Sequence, residues 1–561
     1  MDSQYERTRK YDSSYGGHDY HGSVHHPRHV GWEETKITTT SHIALANVLA
    51  RQRTSLLDKR MFMLYYCLLV ATLCSCINGY DTSLMGSINS YPQYREYFGF
   101  DLTEGTPATG IVYAIFTIGN MLGSFAAGPA ADFKGRRFGM FLGSLTTIIG
   151  AVVQATCVNL GGFMAGRFIV GVGVSLAAAA GPAYVSEMAH PAYRGSMTAI
   201  YNTFWYIGAI PGTFIPYATS RFDSSIAWRI PLWLQLVNGG LVMSLCLFLP
   251  ESPRWLIANY RPDEALDVMA KYHGNNDRNS PLVLFQYREM CEDISKTGSD
   301  KRWWDYRELW NTREVRYRTM VVVMMAFFSQ WVGNGMVSYY YPAMLRGAGI
   351  THNQTQLFYQ GFQNLVSFGG AITGAIFTDK WGRRPQLMIA TAIGSALFTI
   401  IMVLNAINIV EGPDGTPVAK KASYAKALLA MIFIFGFIFS AGWTGNQAMY
   451  PVECLRYENR AKGMGVYNFF VNVAQFYNTF VSDIAFSRAG WKYYFLFIFF
   501  DIFVVIMMYF FFVETKRRTL EELSAIFRSE KPVKASLQSS EVLMMMTQQE
   551  LQTKRNFRGR S

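Results

Sequence analysis

The chain has 561 residues, half of them apolar and 15% aromatic, with a formal net charge of +12. A soluble chain of that length divides into several domains with polar surfaces; here apolar runs of about twenty residues recur instead, long enough to cross roughly 30 Å of hydrocarbon. The positive charge does not imply nucleic acid, because it clusters in short loops and tails of the kind that face an anionic leaflet, and seven cysteines without a CxxC exclude a disulfide scaffold or a zinc site.

Residues 1–60 are rich in Ser, Tyr, Gly and His and lack periodicity, which predicts a disordered cytoplasmic tail. No charged-then-apolar segment with a small-residue cleavage site opens the chain, so the first span is expected to act as the signal. Apolar periodicity predicts six spans in the first half, 61–249: about 61–83, 108–131, 138–157, 162–186, 195–217 and 228–249. A polar stretch, 250–318, follows. In it Pro262, Asp263 and Glu264 open a helical pattern, with acids near the positive end of the helix dipole. Short amphipathic helices under the membrane are expected there. Six more spans fill 319–514, at about 319–342, 357–378, 385–409, 425–450, 460–482 and 491–513, and 515–561 reads as a polar cytoplasmic tail.

Lys and Arg set the expected orientation. Arg51, Arg53, Lys59 and Arg60 precede the first span. Lys134, Arg136 and Arg137 join spans 2 and 3, and Lys380, Arg383 and Arg384 join spans 8 and 9. The loop 84–107 has only Arg95 against Glu96, Asp101 and Glu104. Both termini are therefore expected in the cytoplasm. The sequon at Asn353 falls in a loop that this orientation puts outside, where it can be glycosylated.

The two halves repeat each other. GPAADFKGRR, Gly128 to Arg137, is answered by DKWGRR, Asp379 to Arg384, and the offset from Asp132 to Asp379 equals that from Arg137 to Arg384. Glu187 precedes Arg194 by the same spacing as Glu453 precedes Arg460. PESPR at Pro250 to Arg254 is echoed by VETKR at Val513 to Arg517. Three echoes in one order mean two homologous halves, an architecture common among transporters.

These residues resemble the major facilitator superfamily, and within it the sugar porters. The likeness covers about 60 to 520 and rests on GYDTSLMG, GPAADFKGRR, GRFIVGVG, PAYVSE with Arg194-Gly195, PESPRWL, DKWGRR, RAKG and the ETK of Glu514 to Lys516. A narrower likeness to fungal lactose and cellodextrin permeases rests on NGYDTSLMG, YHGNNDRNSPLVL, WWDYRELW, QWVGNGMVSYY and KPVKASLQ. The resemblance implies an all-α membrane protein with twelve transmembrane helices in two pseudo-symmetric six-helix bundles. It also implies a fungal plasma-membrane carrier, working as a monomer and not as an enzyme, for a disaccharide or related sugar. No cofactor is expected beyond a proton as coupling ion.

Four sets of candidate residues follow. Asp81, late in span 1, and Arg167, early in span 4, both fall in the outer half of the membrane. Burial favours the neutral acid and the arginine favours the carboxylate, so a change in either moves a proton. The resemblance gives both residues to proton coupling. Asp132, Arg136, Arg137, Glu187, Arg194, Glu251 and Arg254, with Asp379, Arg383, Arg384, Glu453, Arg460 and Glu514, are expected to form ion pairs that join the halves on the inner face and gate them. A sugar needs hydrogen bonds for its hydroxyls and a flat apolar platform. Family position carries over Asn202 and Gln330, with Asn334 shifted by one place; Tyr339, Tyr340, Gln363 and Asn364 are further candidates. The family's span-10 tryptophan position holds Ala448, while Trp443 lies earlier. Its span-11 Asn position holds Val471, with Asn468 and Asn472 nearby, and the acid of bacterial proton-coupled relatives in span 6 is Gln235. A missing indole leaves room for a second sugar ring.

Overall fold

Small residues at helix contacts and polar residues turned inward shape the bundle. The computed structural model describes residues 59–100, 107–191, 194–297, 306–339, 341, 344–345, 350, 352–411, 417–419, 422–456, 460–516, 518 and 520–538. Nearly all of the tail 1–60, and the end of the chain from 539, lie outside the described residues.

The first half contains α1 (Lys59–Ile88), the short α2 (Pro92–Phe98), α3 (Pro107–Phe133), α4 (Arg136–Thr156), α5 (Leu160–Met188), α6 (Arg194–Thr219) and α7 (Ile226–Leu245). The central stretch carries α8 (Pro253–Ala258), α9 (Pro262–His273) and α10 (Pro281–Thr297). The second half contains α11 (Arg313–Trp331), α12 (Asn334–Tyr339), α13 (Asn353–Trp381), α14 (Arg383–Asn408), α15 (Ala422–Phe439), α16 (Asn446–Cys454), α17 (Arg460–Ala489) and α18 (Tyr494–Phe511). α11 and α12 are one span broken at Gly333, and α15 and α16 are one span with a π-helical turn at Ser440–Thr444. A small hairpin of β1 (Ile409–Glu411) and β2 (Pro417–Ala419) joins α14 to α15.

Among the described residues, nine spans are long and apolar enough to cross a membrane. Three further helices, α6, α13 and α17, have 26, 29 and 30 residues. They carry more polar side chains, and they form the seam between the halves: α6 packs on α13, and α17 packs on α3. The polarity belongs to the seam, which is turned away from lipid.

At the end opposite the Gly-Arg-Arg turns the halves are in close contact. Phe358 of α13 meets Phe214 and Tyr217 of α6, with ring centroids 6.5 and 5.7 Å apart. Leu357 is buried in an apolar cluster otherwise built from the first half, around Tyr91, Tyr94 and Trp228. Ser87 Oγ donates to Gln360 Oε1 at 3.4 Å.

The segment after 515, read from sequence as a plain polar tail, contains α19 (Leu520–Arg528) and α20 (Pro532–Ser536). Leu523, Ile526 and Phe527 share one helical face and are buried in the core of the second half. Arg528 Nε reaches Glu314 at 3.0 Å, and Glu314 also receives Arg318 and Arg456.

Within the first half α1 and α6 touch backbone to backbone. A side chain's Cβ at Gly208 would lie 2.0 Å from Cys76 O, and one at Gly79 would lie 1.9 Å from Trp205 O. Gly208 and Gly212 stand four apart and both face α1, the small-xxx-small spacing of membrane helices. Backbone cannot step aside as a side-chain tip can. Gly208→Val is therefore expected to cost roughly 3 kcal/mol or more and to lower thermal stability and surface expression. Gly240→Ala, where a Cβ meets nothing within 4 Å, is the matched control; equal melting of the two variants in detergent would contradict this account of the α1–α6 contact.

Candidate functional site

Two charged sites stand out, one in the membrane interior and one, built twice, at the Gly-Arg-Arg turns. In the interior, α1 brings Asp81 and α5 brings Arg167 face to face. Arg167 Nη1 donates to Asp81 Oδ1 and Oδ2 at 2.8 and 2.9 Å, and the side chains are 2% and 0% exposed. α7 adds a third member: Gln235 Nε2 donates to Asp81 Oδ1 at 2.9 Å. The guanidinium lies 4.6 Å from the centre of the Phe116 ring of α3, a cation–π contact that adds to its hold. Four helices of the first half thus converge on one carboxylate. Arg167 Nε and Gln235 Oε1 are buried without a hydrogen-bond partner.

The second site begins with a glycine in the left-handed region. Gly135 has φ +98° and Gly382 has φ +95°. A Cβ there would lie 2.3 Å from Glu251 Oε2 and 2.6 Å from Glu514 Oε2 respectively. Only glycine lets the turn close over a carboxylate. The backbone N–H of Arg136 donates to Glu251 Oε1 at 2.9 Å, and that of Arg383 donates to Glu514 Oε1 at 3.1 Å. The Arg136 side chain then forks onto Glu187, with 3.1 Å at both nitrogens, and reaches Asp132 at 2.6 Å. Arg383 forks onto Glu453 at 3.2 and 2.9 Å. Ser252 Oγ donates to Glu187 and Thr515 Oγ1 to Glu453. The second arginines tie the turns to the ends of the last helices: Arg137 donates to Cys246 O at 3.2 Å, and Arg384 to Tyr509 O at 2.7 Å. Burial outweighs the backbone donors around Glu251 and holds its carboxyl above the usual range.

These pairs correct one expectation. The acids and arginines of the turns were expected to join the halves; the ion pairs of Asp132, Arg136 and Glu187, and that of Arg383 with Glu453, each lie within one half. The reason is reach: each turn is folded against the end of its own half's fourth or tenth span and the segment after its own last span. Arg254 sits in α8, and Arg460 at the start of α17. The side chains of Arg194 and Asp379 lie outside the described residues.

A profile described as "Sugar (and other) transporter" matches residues 67–527. The chain belongs to the sugar transporter family. It is 27% identical to a high-affinity glucose transporter of Kluyveromyces lactis over 479 residues, covering 83% of this chain and 85% of that protein. It is 28% identical to a quinate permease of Neurospora africana over 480 residues, covering 82% and 88%. A structure of the xylose transporter XylE from E. coli in a partially occluded inward open conformation shares the fold, with a TM-score of 0.66 at 21% identity, over 81% of this chain and 99% of that one. The fold is the twelve-helix major facilitator fold, and the relatives are membrane transporters and permeases rather than enzymes.

In this sugar transporter the candidate sugar contacts are scattered over the seam. Asn202 is half-buried on α6, and Ala448 half-buried on α16. Gln330 closes α11 and Asn334 opens α12, so both flank the break at Gly333. Gln330 Nε2 donates to Ser329 Oγ at 3.3 Å, and the Gln330 backbone carbonyl accepts Asn478 Nδ2 at 3.1 Å. Asn364 Nδ2 is directed across the seam to Ala209 O at 3.4 Å, and Asn472 Nδ2 to Ser124 Oγ at 3.5 Å. Gln363 donates to Ser367 Oγ at 3.3 Å, and Asn468 is exposed. The side chain of Tyr339, and all of Tyr340, lie outside the described residues. Trp443 is buried, with its Nε1 donating to Thr391 Oγ1 of α14 at 3.2 Å. Asn353 is half-buried at the start of α13. Sequence reasoning missed Tyr206, whose hydroxyl lies 2.7 Å from Ser440 Oγ across the seam; a single tyrosine in an aromatic-rich span carries no signal of that contact. It also missed Ser252 and Thr515, although the repeated segments PESPR and VETKR hold them at matching places.

Removing the Arg383 side chain leaves the partly buried Glu453 without its cation, while the backbone N–H on Glu514 stays. Arg383→Ala is expected to destabilise the second half by about 2 kcal/mol or more, and Arg136→Ala to do the same to the first. Thermal melting of the purified variants checks this; unchanged melting with slowed transport would restore the idea that these residues act between the halves.

Proposed function

We propose that this chain is a proton-coupled carrier that takes up a disaccharide such as lactose or cellobiose across the plasma membrane by alternating access, working as a monomer with both termini in the cytoplasm. The observation that carries the reading is the buried Asp81–Arg167 pair with Gln235 against it. An ionised carboxylate costs several kcal/mol in an apolar span unless it is paired. Here it is paired, so the deprotonated state is accommodated. A proton arriving on Asp81 cancels its charge and releases Arg167. Gln235 suits both states: its N–H donates to the carboxylate, and its unpartnered Oε1 accepts the acid's O–H once the amide turns over. The freed guanidinium then has reason to move relative to α1, which biases the first half toward one of two arrangements. Protons and sugar are coupled because each favours the same arrangement.

The substrate reading rests on Ala448, where family resemblance expects an indole, and on Trp443, which is spent on Thr391 and cannot substitute for it. A second reading, a single-ring substrate, is favoured by the relatives themselves, a glucose transporter and quinate permeases. Ala448→Trp separates the two. It is expected to lower disaccharide uptake at least several-fold while sparing monosaccharide uptake, measured with a labelled sugar panel at matched surface expression. Equal loss of both supports the single-ring reading.

Asp81→Asn tests the coupling. The amide is a permanently neutral mimic, so uphill accumulation and sugar-driven proton influx are expected to vanish while exchange across an equilibrated membrane survives. Simultaneous recording of uptake and external pH reads both. A well-expressed Asp81→Asn protein that still accumulates sugar with proton influx makes the pair structural. A wild-type chain that binds sugar and moves none is a sensor, and one that equilibrates sugar without proton influx is a uniporter.

A further inference from the structure

α18 runs through 18 residues with a single charged side chain, Asp501, near its middle. Asp501 is 1% exposed, and neither carboxyl oxygen has a hydrogen-bond partner. It faces α14 at Gly394: a Cβ there would lie 3.8 Å from Asp501 Oδ2 and 3.5 Å from the Phe435 ring of α15. The hydroxyls along this stretch of α14 are already committed. Ser395 Oγ donates to Ile498 O at 3.3 Å, and Thr391 Oγ1 donates to Leu387 O while accepting the Trp443 indole.

Among the described residues no counter-ion is placed against it: α15, which brings Phe435, carries Tyr424 and the exposed Lys426 only in its first turns. α14 carries only Arg383 and Arg384, about 15 Å along the helix from Gly394; the Arg383 side chain is paired with Glu453, and that of Arg384 donates to Tyr509 O. α11 carries Arg313, Glu314, Arg316, Tyr317 and Arg318 at its first turns; Arg318 is tied to Glu314 and to Cys454 O, and Tyr317 donates to Phe511 O. The turn before α18 carries Lys492, exposed and roughly 13 Å along the chain from Asp501. On α18 itself Tyr494 is engaged by Asn405 at 3.3 Å, and Tyr509 is exposed. An ionised Asp501 would sit in the apolar interior with nothing to balance it, whereas the neutral acid requires no counter-ion.

We propose that Asp501 is a proton-binding site of the second half, separate from the Asp81–Arg167 pair, and that at neutral pH it holds its proton as a carboxylic acid. The step is a simple one: a proton from solvent adds to one carboxylate oxygen and leaves by the same bond, with no change elsewhere. Because the folded chain keeps a proton that an unfolded, solvated carboxylate would release, the fold loses stability as pH rises from mildly acidic values until the native acid ionises too.

The test is infrared spectroscopy of the full-length carrier in lipid, with carbon-13 in its aspartate carboxyls. The wild type is expected to show, at neutral pH, a protonated-carboxyl carbonyl stretch that fades only in alkali and exchanges slowly in heavy water. Asp501→Asn should lose that band, Asp81→Asn should keep it, and Asp501→Glu should move it out of the aspartate-labelled set. Melting curves provide the second readout: Asp501→Asn should lose part of the alkaline destabilisation of the wild type. If Asp501→Asn does not fold, the wild-type titration and Asp501→Glu still decide. A wild-type carrier without a protonated aspartate at neutral pH, or an Asp501→Asn spectrum that retains the same band, overturns the proposal.

Discussion

Hydrocarbon offers no hydrogen bonds, so a charge placed inside this bundle must be balanced by the protein itself or go uncharged. That constraint arranges the rest. Asp81 is tolerable because Arg167 and Gln235 close on it from two other helices and Phe116 covers the guanidinium. The same rule places the polar helices α6, α13 and α17 on the seam, where their amides find partners on the facing half. Glycines at 79 and 208 separately let α1 and α6 approach backbone to backbone.

The bonds within the halves differ in kind from those between them. Inside each half, a Gly-Arg-Arg turn closes over Glu251 or Glu514 and forks an arginine onto Glu187 or Glu453. Those are charge-assisted, partly buried and costly to break. Across the seam the described polar contacts are neutral: Tyr206 to Ser440, Asn364 to Ala209, Asn472 to Ser124, Ser87 to Gln360. Each is worth about 1 kcal/mol net and can be exchanged for water or a substrate hydroxyl. Two stiff bodies joined by a few replaceable bonds suit a carrier that rocks, because the seam can reopen without either half losing its shape.

Much of this was legible in the sequence, for identifiable reasons. The duplicated motifs gave the two halves, because the same turn chemistry requires the same letters twice. Asp81 and Arg167 were legible because charge inside an apolar run is rare and demands a partner. The partners of the gate residues were not: sign alone says that Arg136 needs an acid, and it leaves open whether that acid comes from its own half or the other. Interior amides such as Asn364 and Asn472 were ambiguous for the same reason, since bonding to a neighbouring helix and to a sugar ask for the same side chain. α19 was hidden because three buried residues in a nine-residue polar segment are too few to outweigh its charges in a reading by composition.

Two buried aspartates bring the constraint into focus from opposite sides. Asp81 is met by a cation and an amide donor, Arg167 and Gln235, brought by two other helices. Asp501 is surrounded by phenylalanines, a glycine and hydroxyls already in use, so its environment is built for the acid, and removing a proton there would create an uncompensated charge. On the proposed reading, a proton at the first position disrupts a pair that the opposite state need not keep. A proton at the second is part of the packing of α14 on α18. The same side chain, similarly buried, therefore meets two different surroundings, and the difference lies in the presence or absence of one guanidinium.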